Sequence, residues 1–227
     1  MKKLLNTLYV MTQGSYLSRE GETVEVRVER EIRLRVPIHT LDGIVCMGQV
    51  SCSPPLMGLC AERNVSVSFM SEHGKFWARV QGPVSGNVLL RREQYRKADR
   101  AEDSAEIARL IVAAKVSNSR TSLLRAVRDR PGDAGAKLLE AAAARLLRIL
   151  EGLRNPIPLE HIRGCEGEAA NVYFGVFDHL ITAQKEDFFF RERSRRPPLD
   201  AMNALLSFMY VLLAHDAASA LEGVGLD

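Results

Sequence analysis

Apolar and polar side chains alternate at a period of two along much of the first 80 residues. The alternation is strict in Thr-Val-Glu-Val-Arg-Val from Thr23 and in Ile-Arg-Leu-Arg-Val from Ile32. Because successive side chains of a strand point to opposite faces, this period predicts strands with one buried and one solvated face. Strict alternation favours an antiparallel sheet or a small sandwich over a parallel core. The predicted strands are 4–10, 23–28, 32–36, 65–69 and 75–80.

The rhythm changes between Gly43 and Asn64. Ser53-Pro54-Pro55 can begin a helix, because serine caps helix N-termini and proline is tolerated in the first turn. Helical spacing continues through Leu56, Leu59, Cys60 and Arg63. We therefore expect a strand, a helix and a strand in this part of the β-rich region.

The hydrophobic period changes to 3.6 after Gly82-Pro83 and Gly86-Asn87, which makes this stretch the best candidate for a domain boundary. Helices are predicted over 89–97, 103–127, 134–153, 158–161 and 200–221, and a further helix is expected to begin in the stretch 163–174. The whole pattern predicts an α+β protein. A small β-rich N-terminal domain, residues 1–82, is followed by an all-helical domain, residues 83–227.

Two of the predicted helices carry an apolar stripe at helical spacing, which we expect to face the core. In the helix over 103–127 the stripe is Ile107, Leu110, Ile111, Ala114, Asn118, Thr121 and Leu124. In the helix over 200–221 it is Leu205, Leu206, Met209, Leu212 and Leu213. The basic residues Lys115, Arg120 and Arg125 lie off the first stripe.

Composition excludes several classes of protein but does not identify a binding partner. With 227 residues and 46% hydrophobic side chains the chain can bury real cores, and a net charge of +3 permits a polyanionic partner without requiring one. The four cysteines form no CxxC pair and have no histidine at zinc-like spacing, which argues against a zinc site and a disulfide framework. No signal peptide and no apolar run of about 18 residues is recognised. We expect a cytoplasmic protein without a membrane span.

The stretch 163–174 carries the first candidate for chemistry. Glu166 lies between Gly164 and Gly167, and the spacing predicts that it stands at the entry of a helix. A carboxylate there is stabilised by the helix dipole, by a few tenths to about 1 kcal/mol, and such residues are common. An acid with open backbone on both sides also suits a ligand. Spacing alone leaves both interpretations open.

The second candidate is the segment 188–198, in which three phenylalanines give way to arginines and two prolines. Arginine beside aromatic rings can bind phosphates and stack on bases, as nucleic-acid-binding proteins require. A solvated charged loop has the same composition. The segment therefore permits a DNA contact without establishing one.

Read together, two strings resemble one family. Arg163-Gly164-Cys165-Glu166-Gly167-Glu168-Ala169-Ala170 with Tyr173-Phe174 is followed by Arg195-Arg196-Pro197-Pro198-Leu199-Asp200-Ala201-Met202-Asn203-Ala204-Leu205-Leu206-Ser207-Phe208 and Tyr210. Both strings, in this order and behind a β-rich region, resemble the CRISPR-associated integrase of spacer acquisition, in particular its subtype I-C branch. The resemblance covers the whole chain.

The resemblance implies a β-strand N-terminal domain that forms a homodimer, a helical catalytic domain, and assembly with a small ferredoxin-like CRISPR-associated protein. In this family the 3′-hydroxyls of a double-stranded DNA fragment attack phosphodiesters at the ends of a CRISPR repeat. The same centre cleaves DNA with water as the nucleophile. Mg²⁺ or Mn²⁺ is the implied cofactor, because a hard cation stabilises the charge that develops on the phosphoryl group.

The resemblance also implies roles for individual residues. Glu166 is the implied metal ligand, and Arg163 matches an arginine suited to a phosphate of the cleaved strand. Tyr210 matches a tyrosine on the helix that faces the catalytic site. Arg195 and Arg196 fall where family members approach DNA. Glu168, two positions beyond Glu166, is expected to point away.

Two further metal ligands of the family, a histidine and an aspartate, are expected beyond Gly225-Leu226-Asp227 and so lie outside this sequence. His215 beside Asp216, and His179 beside Asp178, are poor substitutes, because the family holds no metal there. Two hypotheses follow. The chain is the N-terminal part of a metal-dependent DNA integrase and nuclease, or it is a catalytically inactive module for DNA binding and assembly. We expect weak catalysis or none from these 227 residues alone.

Overall fold

A computed structural model describes residues 6–80, 82 and 88–227. The start of the first predicted strand and most of the predicted domain boundary, residues 83–87, lie outside the described residues. The strands are β1 (Thr7–Val10), β2 (Tyr16–Glu20), β3 (Thr23–Val28), β4 (Glu31–Pro37), β5 (Gly43–Met47), β6 (Ser51–Cys52), β7 (Ser66–Met70) and β8 (Phe76–Val80). The α-helices are α1 (Pro54–Glu62), α2 (Val88–Ala98), α3 (Ala101–Asp129), α4 (Ala136–Gly152), α5 (Leu159–Gly175) and α6 (Ala201–Gly223).

The α+β class is confirmed, since strands occupy the first part of the chain and long helices the second. The chain forms two compact units. The first, which we call the β unit, contains the described residues up to Arg91 together with Phe208–Asp227. The second, the helical unit, is Arg92–Ser207. The functional division into 1–82 and 83–227 stays a prediction.

The β unit contains two four-stranded sheets, with strand orders β1-β5-β7-β8 and β4-β3-β2-β6. Antiparallel pairing, expected from the alternating pattern, joins β2, β3 and β4, and also β7 and β8. The prediction of antiparallel pairing is wrong for three strand pairs, which are parallel: β1–β5, β5–β7 and β2–β6. The reason lies in β5, which is buried at every residue, and in α1, which provides the crossover from β5 to β7 that a parallel pair needs.

Helix α1 begins where the sequence predicts. Ser53 is its N-cap, and its Oγ accepts a hydrogen bond from the Leu56 backbone N–H at 3.4 Å. The helix buries Leu56, Leu59 and Cys60 against the sheets. It therefore closes one side of the β-unit core.

The face of α6 that packs on the sheet shares Leu212 with the predicted stripe but is otherwise formed by Phe208 and Val211. Leu205, Met209 and Leu213 are exposed, by 44, 54 and 63%. The second half of α6 instead packs Phe208, Val211 and Leu212 on Val45, Met47 and Met70 of β5 and β7. A helix that is apolar all round has no single stripe, so periodicity could not choose the face. The most apolar 18-residue window of Ala201–Glu222 has a mean hydropathy of 1.5, so α6 is long and apolar enough to cross a membrane by length and composition only, which is weak evidence for a span.

The core of the helical unit lies between α3, α4 and α5. Its most buried side chains are Val112, Val116, Leu123, Leu139, Leu146, Ile149, Leu153 and Ile162. On α3 the buried positions are Val112, Val116 and Leu123, whereas Ile107, Leu110, Ile111 and Leu124 of the predicted stripe are exposed. Helix α3 has apolar residues on two faces, and packing against α4 and α5 selects one of them.

Candidate active site on the helical unit

Glu166 lies well inside α5 rather than at its entry. The helix begins at Leu159, about two turns earlier, and continues through Gly164 and Gly167 without interruption. A Cβ atom at either glycine would meet open space, so neither glycine marks a close contact with a neighbouring element. The predicted helix start and its dipole interaction are therefore wrong, because the packing of α5 carries the helix through glycines that favour a break.

The carboxylate of Glu166 forms an ion pair with Lys115 of α3. Lys115 Nζ lies 2.6 Å from Glu166 Oε1, and the two side chains are 50 and 44% exposed. The pair joins helices that are 51 positions apart in sequence, so no local pattern could reveal it. Sequence reasoning placed Lys115 only off the apolar stripe. The structure makes it the nearest cationic partner of the candidate acid.

Arg163 lies one helical turn before Glu166, yet its guanidinium does not bind Glu166. Its Nη1 donates to Glu160 Oε1 at 2.8 Å, and both side chains are largely exposed. On a helix, residues three apart lie on the same face. Arg163 and Glu166 thus share a surface but hold different partners.

Glu168 points away from Glu166, as the helical geometry predicts. Its carboxylate binds Arg145 of α4, with Arg145 Nη2 2.9 Å from Glu168 Oε1. Glu166 faces α3 and Glu168 faces α4, so the two acids do not share a site.

The described residues do not assemble a metal centre. Within residues 6–80, 82 and 88–227, no group of three or more His, Cys, Asp or Glu side chains is placed to hold an ion. Mg²⁺ requires several converging oxygen ligands, and Glu166 provides one carboxylate that already binds an ammonium group. The described residues therefore provide no more than one of the ligands that the implied cation needs.

The two histidine–aspartate pairs have other roles. His215 stacks on Phe76 in the β unit with ring centroids 4.2 Å apart, and burial together with Arg79 lowers its pKa. In the helical unit, Asp178 accepts a hydrogen bond from the Phe190 backbone N–H at 2.9 Å and pairs with Lys185. These contacts hold His215 against Phe76 of β8 and hold Asp178 against the segment that contains Lys185 and Phe190.

The cysteines are free thiols. Burial raises the pKa of Cys46 and of Cys60 to about 12 and that of Cys52 to about 11. At neutral pH these three side chains are protonated, and they behave as apolar residues of the β-unit core.

Of the phenylalanines before the arginines, Phe190 anchors the segment, whereas Phe189 stays exposed. Phe190 is 5% exposed and packs on Phe174 and Phe177, with ring centroids 5.6 and 4.9 Å apart. Phe189 remains 38% exposed, and Arg191 Cζ lies 5.3 Å from its ring centroid. The aromatic cluster fixes this segment to the C-terminal end of α5.

Arg195 and Arg196 are exposed on the loop that follows. No hydrogen bond or ion pair joins them to Arg163 or Glu166 in the described part of the helical unit. Tyr210 is 45% exposed and belongs to the β unit, on the second half of α6. The roles of all five residues stay predictions.

Nearly the whole chain matches one family. Residues 8–227 match the family described as CRISPR associated protein Cas1. The chain belongs to the Cas1 family. The resemblance to the CRISPR-associated integrase is thereby confirmed, while the subtype I-C assignment stays a prediction.

Individual Cas1 relatives and structures agree with this assignment. The chain is 54% identical over 227 residues to CRISPR-associated endonuclease Cas1 1 of Chlorobaculum tepidum, covering all of this chain and 66% of that protein. A casposase bound to an integration product has a TM-score of 0.75 at 23% identity, over 98% of this chain and 63% of that one. The Cas6-RT-Cas1–Cas2 complex gives 0.74 at 21% identity, over 100% of this chain and 24% of that one. These two structures support the Cas1-like fold.

The Cas1-family chain spans slightly less than two thirds of the length of the curated relatives it matches. The share is 66% for the proteins from Chlorobaculum tepidum, Rhodospirillum rubrum and Moorella thermoacetica.

Proposed function

We propose that this Cas1-family chain is part of a metal-dependent DNA integrase and endonuclease that inserts spacer DNA into a CRISPR array. The observation that carries the proposal is its 54% identity, over all 227 residues, to a protein named as a CRISPR-associated endonuclease. In the proposed reaction the 3′-hydroxyl oxygen of a duplex fragment attacks a phosphodiester. A new P–O bond forms, the bond to the departing 3′-oxygen breaks, and no phosphodiester is lost overall.

The residues of this chain have distinct proposed roles. Arg163 is exposed beside Glu166 and suits a phosphate of the reacting strand, because a guanidinium can donate two parallel hydrogen bonds to it. Arg195 and Arg196 are exposed for contact with the duplex backbone. Tyr210, on α6, is a further proposed catalytic residue.

Mg²⁺ or Mn²⁺ is the proposed cofactor and Glu166 its proposed ligand in this chain. When bound, such an ion would supply positive charge against the negative charge that builds on the phosphoryl group. The described residues do not provide the other ligands, and the Glu166 carboxylate is held by Lys115. We therefore propose that these 227 residues alone have weak strand-transfer activity or none.

The proposed assembly is a homodimer that binds double-stranded DNA and a small ferredoxin-like CRISPR-associated protein in the cytoplasm. A Cas6-RT-Cas1–Cas2 complex shares the fold of this chain, which supports association with other CRISPR-associated proteins. A casposase bound to an integration product shares it as well, which supports a DNA substrate.

A second candidate function is a catalytically inactive module for DNA binding and assembly in the same integration complex. The Lys115–Glu166 ion pair favours it, because a carboxylate neutralised by an ammonium group is less available to a metal ion. The two candidates differ in whether this chain carries out chemistry.

Strand transfer distinguishes them. The chain and its Glu166→Ala variant are incubated with a short duplex and supercoiled DNA, with Mn²⁺, with Mg²⁺ and with a chelator. Cation-dependent insertion that disappears in Glu166→Ala supports the enzyme. Duplex binding without insertion shows that these 227 residues carry out no chemistry by themselves, an outcome that both candidates allow. Insertion that survives in Glu166→Ala would mean that the chemistry lies elsewhere.

Duplex binding is measured in the same samples over a range of salt concentrations. Each phosphate contact contributes roughly 0.9 to the slope of log Kobs against log salt, so replacing both Arg195 and Arg196 by Ala should reduce the slope by about 2. Binding that does not respond to salt would contradict both candidates.

A further inference from the structure

A single buried amide organises the segment that presents Arg195 and Arg196. We call residues 192–200 the arginine loop; it connects the aromatic anchor at Phe190 to α6. Asn203, in the first turn of α6, is 0% exposed. A polar side chain is buried so fully only where its hydrogen bonds are satisfied.

All four hydrogen-bonding positions of the Asn203 side chain are used. Its Oδ1 accepts from Arg193 Nη1 at 2.8 Å and from the Ser194 backbone N–H at 3.0 Å. Its Nδ2 donates to the Glu192 carbonyl oxygen at 2.8 Å and to Asp200 Oδ2 at 2.7 Å. An amide has two acceptor sites and two donors, so this set is complete.

These bonds fix the arginine loop at both ends. Glu192, Arg193 and Ser194 are held at its start, and Asp200 at its finish. Asp200 also caps α6, since its Oδ1 accepts from the Asn203 backbone N–H at 2.7 Å. The two ends of the loop therefore meet on one residue.

The tip of the loop is closed by a second bond and faces solvent. Ser194 Oγ accepts from the Leu199 backbone N–H at 3.0 Å, which joins the start of the tip to its end. Between them lie Arg195, Arg196, Pro197 and Pro198, all exposed. The two prolines have fixed φ angles, so little backbone freedom remains in the tip.

We infer that Asn203 is the positioning residue of the arginine loop: it holds both ends of the loop so that Arg195 and Arg196 meet a DNA backbone in a conformation formed beforehand. This inference rests on the proposed DNA contact of the two arginines. Ordering a loop during binding costs conformational free energy, and a loop that is ordered in the free protein avoids that cost. Loss of the Asn203 amide should therefore weaken DNA binding when Arg195 and Arg196 are present and have no effect when they are absent.

The experiment is a double-mutant cycle on duplex affinity. Asn203→Ser is compared with wild type and with Arg195→Ala/Arg196→Ala, alone and combined. The matched control is Asn155→Ser, an exposed asparagine in the connection between α4 and α5. We expect Asn203→Ser to lose roughly 10-fold in affinity, as one to two weakened phosphate contacts would give. In the background without the two arginines it should cause no further loss, and Asn155→Ser should be neutral in both.

Amide hydrogen exchange on the free protein provides the readout that does not depend on DNA. The Ser194 and Leu199 amides are hydrogen-bonded within the loop and should exchange slowly in wild type. In Asn203→Ser they should exchange at least about 10-fold faster while the amides of α3 and α4 keep their rates. Unchanged exchange of Ser194 and Leu199 would overturn the inference.

The remaining outcomes are also decisive. If Asn203→Ser accelerates exchange throughout the helical unit, Ser194→Ala replaces it, because this change at a partly exposed residue removes only the bond to Leu199. Its loss of affinity should likewise vanish without the arginines, and a loss that adds in full would overturn the inference. If Arg195→Ala/Arg196→Ala binds DNA like wild type, the proposed DNA contact fails. The exchange rates then still decide whether Asn203 orders the loop.

Discussion

Among single residues, Glu166 is exposed, and its ion pair with Lys115 is expected to contribute little to the stability of the fold. It is 44% exposed, and its ion pair with Lys115 lies at the surface of the helical unit. Exposed ion pairs contribute roughly 0 to 1 kcal/mol, because water screens the charges and both side chains lose freedom. The Lys115–Glu166 pair is therefore a weak structural element at the position that the family resemblance assigns to chemistry.

The first prediction tests this separation of stability from function. Glu166→Gln and Lys115→Met should each change the free energy of unfolding by less than about 1 kcal/mol, measured by urea denaturation. Arg145→Met, which breaks the comparable Arg145–Glu168 pair, is the matched control. A loss above about 2 kcal/mol in Glu166→Gln alone would show that Glu166 serves the fold and would remove support for its proposed role.

At the scale of elements, strand β3 shows how an alternating pattern can bury a charge. Glu25 occupies a polar position of β3, yet it is only 1% exposed because Arg27 and Arg35 cover it. Arg27 Nη2 lies 2.6 Å and Arg35 Nη2 2.7 Å from its carboxylate oxygens. Hydrogen bonding to Arg27, followed by the contribution of Arg35, lowers the pKa of Glu25 from its ordinary value of 4.5.

The second prediction follows from the direction of that shift. A carboxyl group whose pKa is lower in the folded state stabilises the fold above its unfolded pKa, and this contribution is lost as pH falls through the folded pKa. Glu25→Gln should therefore melt at a lower temperature than wild type at pH 7. The difference should shrink as pH drops below about 4.5. Thermal melts across this pH range test it, and a difference that grows towards low pH would contradict it.

At the scale of the whole molecule, the chain order and the compact units do not coincide. Helix α6 begins in the helical unit, and from Phe208 onward it belongs to the β unit. Its side chains there complete the surface of β5 and β7, and the Phe208 ring covers Gly74, where a Cβ atom would come within 2.6 Å of it. Gly74 also has a φ of +79°, which favours glycine.

The third prediction concerns this use of α6. Phe208→Ala should destabilise the β unit by about 2 to 3 kcal/mol, below the usual loss for a fully buried phenylalanine because Phe208 is partly exposed. Hydrogen exchange should accelerate in β5 and β7 and stay unchanged in α3 and α4. Leu205→Ala, at an exposed position on the same helix, is the control. Equal acceleration in both units would show that they unfold together.

Local patterns in the sequence were enough to predict the α+β class and the positions of most elements, and two strings were enough to predict the family. Strand β3 and helix α1 begin where alternation and the Ser-Pro-Pro signal predict, because these signals act over a few neighbouring residues. Strand β2 and the short β6 were missed, since neither shows a clear period. The candidate residues came from two strings and their resemblance to a family, not from their local periodicity.

Which faces are buried and which charges meet became clear from the packed fold. It made β1–β5–β7 parallel, turned the predicted stripe of α3 and part of that of α6 towards solvent, and placed Glu166 two turns inside α5 beside Lys115. It also gathered the ends of the arginine loop on Asn203. The physical reason is common to all of these features. Each depends on contacts between elements distant in sequence, and an apolar or charged side chain carries no local signal of the partner that packing will bring to it.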